Sequence, residues 1–167
     1  MSLRKRIIAL PKEGFLDFLS NLFPNYKIDW FEPIKMVSMT WEDVLQLSHD
    51  PIVTIGAHTV GHFALNLLSR EEIINEVNGS KKAIEEKIEK PVEHFCYPFG
   101  SRNEVDKREF TILKEIGFKT ATTTRFGNIF YKHKEHLEAL PRVMLTECFS
   151  WNLFYLRSFM RSINTKW

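Results

Sequence analysis

From Glu13 to Phe23 the apolar residues Phe15, Leu16, Phe18, Leu19, Leu22 and Phe23 recur at helical spacing, and Pro24 ends the pattern. Asn25 to Met39 has no period and carries Pro33, so it reads as irregular. A second helix is expected from Thr40, whose hydroxyl can cap the first turn. Asp43 suits its positive end, and Val44, Leu45 and Leu47 supply a buried side. The β-branched run Ile52 to Ala57 (IVTIGA) reads as an interior parallel strand. Ser69-Arg70-Glu71-Glu72 is a capping box, opening a helix whose inner face is Ile73, Val77, Ile84 and Ile88 and which ends at Lys90-Pro91. Val92 to Tyr97 is the next strand, with the turn Tyr97-Pro98-Phe99-Gly100 at its end. Glu104 to Ile116 predicts a helix closed by Gly117, and Phe118 to Thr124 another strand. Leu140 to Leu145 reads as a short strand entered through Pro141. Phe149 to about Ile163 is an aromatic helix, expected to pack on the domain rather than on a membrane surface.

Strand, helix, strand, helix, strand is the order of an α/β fold with a mostly parallel sheet. In such folds function collects at the carboxyl ends of the strands. His58, the Tyr97–Gly100 turn and Thr124-Arg125 are therefore expected on one rim. Three parts are expected: an N-terminal helical and irregular segment over 1–38, an α/β domain over 39–147, and the aromatic helix over 148–167.

At 167 residues and 44% hydrophobic, the chain fits one domain with a real core. A balance of 23 basic against 21 acidic residues argues against nucleic acid as a partner. No apolar run approaches the ~20 residues of a transmembrane helix. Ile7 to Leu10 is too short for the ~7–15 apolar residues of a secretory leader. No signal peptide is read, and the location stays open between cytoplasm and cell envelope. Cys96 and Cys148 lack CxxC spacing and read as partly buried free thiols in a reducing compartment. His133 and His136, in a charged stretch, read as solvated loop residues.

The stretch TIGAHTVGH places His58 and His62 four residues apart just beyond the first expected strand. Two imidazoles at that spacing can share a metal, yet Thr59 stands where a zincin has its glutamate, and a metal wants at least three protein ligands. Local polar roles are the competing reading. The small residues Gly56, Ala57 and Gly61 favour the metal by leaving room for an ion and a substrate.

The runs SMTWEDVLQLSHDPIVTIGAHTVGHFALNLLSREEI, KKAIEEKIEKPVEHFCYPFG, GFKTATTTRFGN and LPRV, in that order from about Met39 to Leu145, resemble the polysaccharide deacetylase family, the NodB-homology domain of carbohydrate esterase family four. The resemblance implies a distorted (β/α) barrel that removes N-acetyl groups from amino sugars. It implies a divalent metal, often zinc, held by one aspartate and the two histidines of an H-[ST]-x-x-H motif. His58-Thr59-Val60-Gly61-His62 matches that motif, so His58 and His62 inherit the ligand role. Tyr97, Pro98 and Gly100 match the substrate-side turn, in which the backbone N–H of Phe99 would help hold the oxyanion. Arg142, in Leu140-Pro141-Arg142, is expected to face the rim and pair with the catalytic carboxylate.

Members of the family open with a strand ending in Thr-Phe-Asp-Asp, which carries the general base and the third metal ligand. The five aspartates here, Asp17, Asp29, Asp43, Asp50 and Asp106, include no adjacent acidic pair after a strand-like run. The expectation is an incomplete barrel without its first strands, with weak metal binding and little or no activity. Exposed strand edges would then invite a homo-oligomer, or a partner that covers the gap. A non-catalytic carbohydrate-binding or interaction domain is the alternative, with Tyr97, Phe99 and Phe126 as rim aromatics for an N-acetylated glycan.

Overall fold

The computed structural model describes residues 15–25 and 31–144. The expected aromatic helix from Phe149, together with Cys148, Leu145 and Ile7–Leu10, lies outside the described residues.

Helix α1 (Phe15–Leu22) forms where the apolar spacing places it. Helix α2 (Phe31–Val37) corrects the irregular reading for that part of Asn25–Met39. Pro33 is not a breaker there, because it sits in the first turn, where the N–H has no intrahelical partner to lose. Helix α3 (Trp41–Ser48) opens as expected. Thr40 Oγ1 accepts from Asp43 N–H at 3.2 Å, and the Asp43 carboxylate accepts from Thr40 N–H at 2.8 Å. Those bonds hold the Asp43 carboxyl below its usual pKa.

Helix α4 (Arg70–Ile88) begins at the Ser69–Glu72 capping box and buries Ile73, Val77, Ser80 and Ile88, with Ile84 half-buried. It ends on Glu89 in the left-handed conformation, φ 55°, before Lys90-Pro91. Strand β1 (His94–Cys96) follows, then helix α5 (Lys107–Ile116), closed by Gly117 at φ 93°. Strand β2 (Thr120–Phe126) and strand β3 (Leu140–Arg142) complete a parallel sheet in the order β1-β2-β3. His94, Phe95 and Cys96 pair with Thr120, Ala121 and Thr122; the β2–β3 register shifts between Thr122 and Phe126.

The interior strand expected at Ile52–Ala57 is reduced to one parallel bridge, Ala57 to Phe95. Ala57 N–H donates to His94 O and Cys96 N–H to Ala57 O, each at 2.9 Å. Upstream of Ala57 the run pairs with no strand among the described residues, and Ile52 is 90% exposed. Propensity alone does not make a strand; pairing does.

Helices α4 and α5 pack with β1 and β2 around one core: Leu65, Ile73, Val77, Val92, Phe95, Tyr97, Val105, Ile112, Leu113 and Ala121. Burial of each large aliphatic side chain in it is worth about 1.5–3 kcal/mol. The sheet order leaves the carboxyl ends of Ala57, β1, β2 and β3 side by side.

Candidate active site

His58 follows the Ala57 bridge directly, so the sheet fixes its backbone. Its Nδ1 lies 2.6 Å from Cys96 O at the end of β1. A carbonyl only accepts, so Nδ1 carries the proton and the lone pair is on Nε2. An imidazole that donates one N–H to a backbone carbonyl is oriented as metal-binding histidines are.

His62 reaches the same place through a tightly wound loop. Thr59 and His62 adopt φ of 67° and 56°, a left-handed conformation that is a genuine outlier for a β-branched residue. Such residues cost about 1–3 kcal/mol each and persist only where surroundings enforce them. His62 N–H donates to Thr59 Oγ1 at 3.0 Å, closing the loop on itself. The two imidazoles meet edge to face with centroids 4.8 Å apart, and the His62 ring meets Phe99 the same way at 5.1 Å.

The Tyr97–Gly100 turn is fastened to β2. Thr124 Oγ1 donates to Phe99 O at 2.6 Å and Thr124 N–H to Gly100 O at 2.9 Å. Gly100 has φ 57°, and a Cβ there would stand 2.9 Å from Thr124 N, so the position admits no side chain. Phe99 is also left-handed, at φ 59°. Its N–H makes no hydrogen bond among the described residues. From β3, Arg142 Nη1 donates to Cys96 Sγ at 3.4 Å.

Arg142, Cys96, His58, His62 and Phe99 thus follow one another across the end of the sheet. Cys96 raises the His58 pKa, against the opposing effect of burial. Burial, and then the neighbouring His58, lowers that of His62. In return His58, with Thr122 and Arg142, brings the Cys96 thiol down to about 7 from 9.0.

The structure brings His58, His62, Phe99 and Arg142 together, as the sequence motifs suggest, and it moves other residues away. Tyr97 is fully buried and its hydroxyl donates to Glu138 O at 2.8 Å, so its ring belongs to the core and cannot stack on a sugar. Pro98 is buried beside it. Arg125 turns inward, its guanidinium 5.0 Å from the Phe110 ring centroid and Nη2 donating to Val105 O at 2.7 Å. His133, expected in solvent, is 5% exposed and accepts from Phe130 N–H at 2.9 Å, whereas His136 is exposed. The glycines do not leave room for an ion. A Cβ on Gly56 would stand 3.0 Å from His94 O, and one on Gly61 2.3 Å from the Phe63 ring, so both serve close packing of the loop.

Cys96 and Glu76 were not expected in the site. Cys96 lies between the buried Phe95 and Tyr97, so strand alternation already turns it to the opposite face. Glu76 had no comparable signal.

A divalent metal, expected from the motif, finds part of its donor set in the pair. His58 Nε2 carries a free lone pair and the two rings are adjacent. Among the described residues no third histidine, cysteine, aspartate or glutamate joins them to complete a site.

The family model for polysaccharide deacetylase matches residues 25–121, more than half of the chain. The match begins inside the segment 1–38 set apart by the sequence pattern and stops before Arg142. No curated protein matches. Among solved structures, the deacetylase PplD of Streptococcus pyogenes, solved in complex with acetate, is similar over 74% of this chain and 53% of its own, with 20% identity and a TM-score of 0.61. BC0361, a polysaccharide deacetylase from Bacillus cereus, is similar over 91% of this chain and 48% of its own, with 22% identity and a TM-score of 0.59. The chain therefore spans about half the length of these structures, whose likeness establishes the α/β fold with its parallel sheet. By its family match and its fold, the chain belongs to the polysaccharide deacetylase family.

Proposed function

We propose that the chain carries part of the active site of a metal-dependent deacetylase that hydrolyses N-acetyl groups on a glycan. The observation that supports this best is the approach of His58, His62 and the Phe99 turn to within about one ring contact of each other. Hydrolysis of an N-acetyl group needs a base for the attacking water and donors for the developing oxyanion. His58 and His62 would hold the divalent cation, zinc in this proposal; a bound cation polarises the acetyl carbonyl and makes water more acidic. The Phe99 N–H, without a described partner, is the proposed oxyanion donor, a role worth about 2.7–4 kcal/mol. Gly100 and Pro98, both buried, shape that turn and so set where the Phe99 N–H stands. Arg142 has donors left beyond its contact with Cys96, and its proposed task is to orient the carboxylate base.

No aspartate of this sequence follows a strand-like run with a second acid beside it, so weak cation binding and low turnover are proposed for the chain alone. A homo-oligomer or covering partner is part of the same proposal, and exposed Met36, Val37 and Ile52 support it. The test is acetate release from N-acetylated chitooligosaccharides by the chain, alone and joined to a strand ending in Thr-Phe-Asp-Asp. Metal-dependent turnover in the joined form, lost on His58→Ala or His62→Ala, is expected. Glycan binding with no turnover in either form would favour a carbohydrate-binding domain instead.

A further inference from the structure

The histidine loop rests on one face of α4. Glu76 Oε2 accepts from Val60 N–H at 3.0 Å and from Gly61 N–H at 2.6 Å. One turn further on, Ser80 Oγ accepts from His58 N–H at 3.3 Å. Between them lies Gly79, where a Cβ would come within 3.0 Å of Val60 Cγ2. Positions 76, 79 and 80 follow the i, i+3, i+4 spacing that brings side chains onto one helix face.

These contacts address what the loop lacks. Thr59 and His62, at φ 67° and 56°, flank Val60 and Gly61, whose consecutive N–H groups point to a single carboxylate oxygen. Two N–H groups on one anionic acceptor form a charge-assisted anchor, stronger than a bond to a neutral oxygen. The intraloop bond from His62 N–H to Thr59 Oγ1 and the Ser80 contact are neutral and longer than the Gly61 bond. Without the carboxylate, little else holds a left-handed threonine in place, and the spacing of the two imidazoles depends on that backbone.

We propose that Glu76 is the positioning residue of the site: through the Val60 and Gly61 amides it holds the loop so that His58 and His62 face one cation. The inference deepens the metal-site reading and rests on it. Glu76 itself touches neither imidazole in this scheme and is not a ligand.

Zinc titration of the full chain by calorimetry, with amide and imidazole NMR, tests it on the wild type, Glu76→Ala and Glu76→Gln. Alanine favours helix, so α4 should persist in Glu76→Ala, and core methyl resonances check this. Loss of an outer-shell support typically weakens metal binding ~10–100-fold. That loss is expected in Glu76→Ala, with movement of the Val60 and Gly61 amide resonances and loss of the His58–His62 ring contact. Glu76→Gln keeps an acceptor oxygen without its charge and should recover part of the affinity. Unchanged zinc affinity in Glu76→Ala would overturn the proposal. If the wild type binds no zinc, the metal-site reading fails separately. The ring contact then decides: its survival in Glu76→Ala overturns the positioning role, and its loss upholds the role as one of loop geometry.

Discussion

The His58 ring holds the Cys96 carbonyl oxygen at 2.6 Å, tying the histidine loop to the end of β1. One contact therefore fixes the tautomer of a proposed ligand and joins the loop to the sheet that carries the Phe99 turn and, through β3, Arg142.

The pKa values of the two histidines should be displaced in opposite directions in the metal-free protein. His58 is raised above 6.5 chiefly by Cys96, and His62 is lowered below it chiefly by burial. Following imidazole resonances against pH, His58 should protonate first as pH falls. The signs carry into stability: the His58 contribution is present at low pH and lost as pH rises through its folded pKa. The His62 contribution is present at higher pH and lost as pH falls through its own. Protonation of His62 before His58 would contradict this arrangement.

The Cys96 thiol, held at about 7 by His58, Thr122 and Arg142, should alkylate with a midpoint near that pH. Both His58→Ala and Arg142→Ala should move the midpoint up toward the ordinary value of 9.0. Iodoacetamide rates across pH measure it, and a midpoint that ignores both substitutions would mean that neither group reaches the sulfur.

Gly100→Ala should destabilise the chain by at least ~1–2 kcal/mol, the cost of a left-handed L-residue, with the Thr124 N contact added. Urea unfolding reads this directly. Wild-type stability in Gly100→Ala would show a turn that relaxes freely.

Tyr97→Phe separates core from rim. Loss of the hydroxyl bond to Glu138 O should cost about 0.5–1.5 kcal/mol, while glycan affinity stays unchanged. A drop in glycan affinity without loss of stability would return Tyr97 to the substrate.

Where signals are local, the sequence shows the fold well. Thr40 with Asp43 and Ser69 with Glu72 start helices within four residues, and Gly117 ends one. Pairing is not local, so IVTIGA reads as a strand although only Ala57 finds a partner. Alternation places Tyr97 on the buried face of Phe95, and this outweighs the rim role that its position in the motif suggests. The histidine motif points to His58 and His62 but not to Glu76, because the contacts span fifteen and sixteen residues and depend on how the loop lies on α4.

The most direct measurement is X-ray absorption at the zinc edge on the zinc-loaded chain, paired with zinc affinity in His58→Ala and His62→Ala. Two imidazole nitrogens at ~2.0–2.1 Å are predicted, with oxygen in the remaining positions. Either substitution should weaken binding by more than the ~10–100-fold of an outer-shell loss. Zinc bound without imidazole, or an affinity indifferent to both substitutions, would contradict the account.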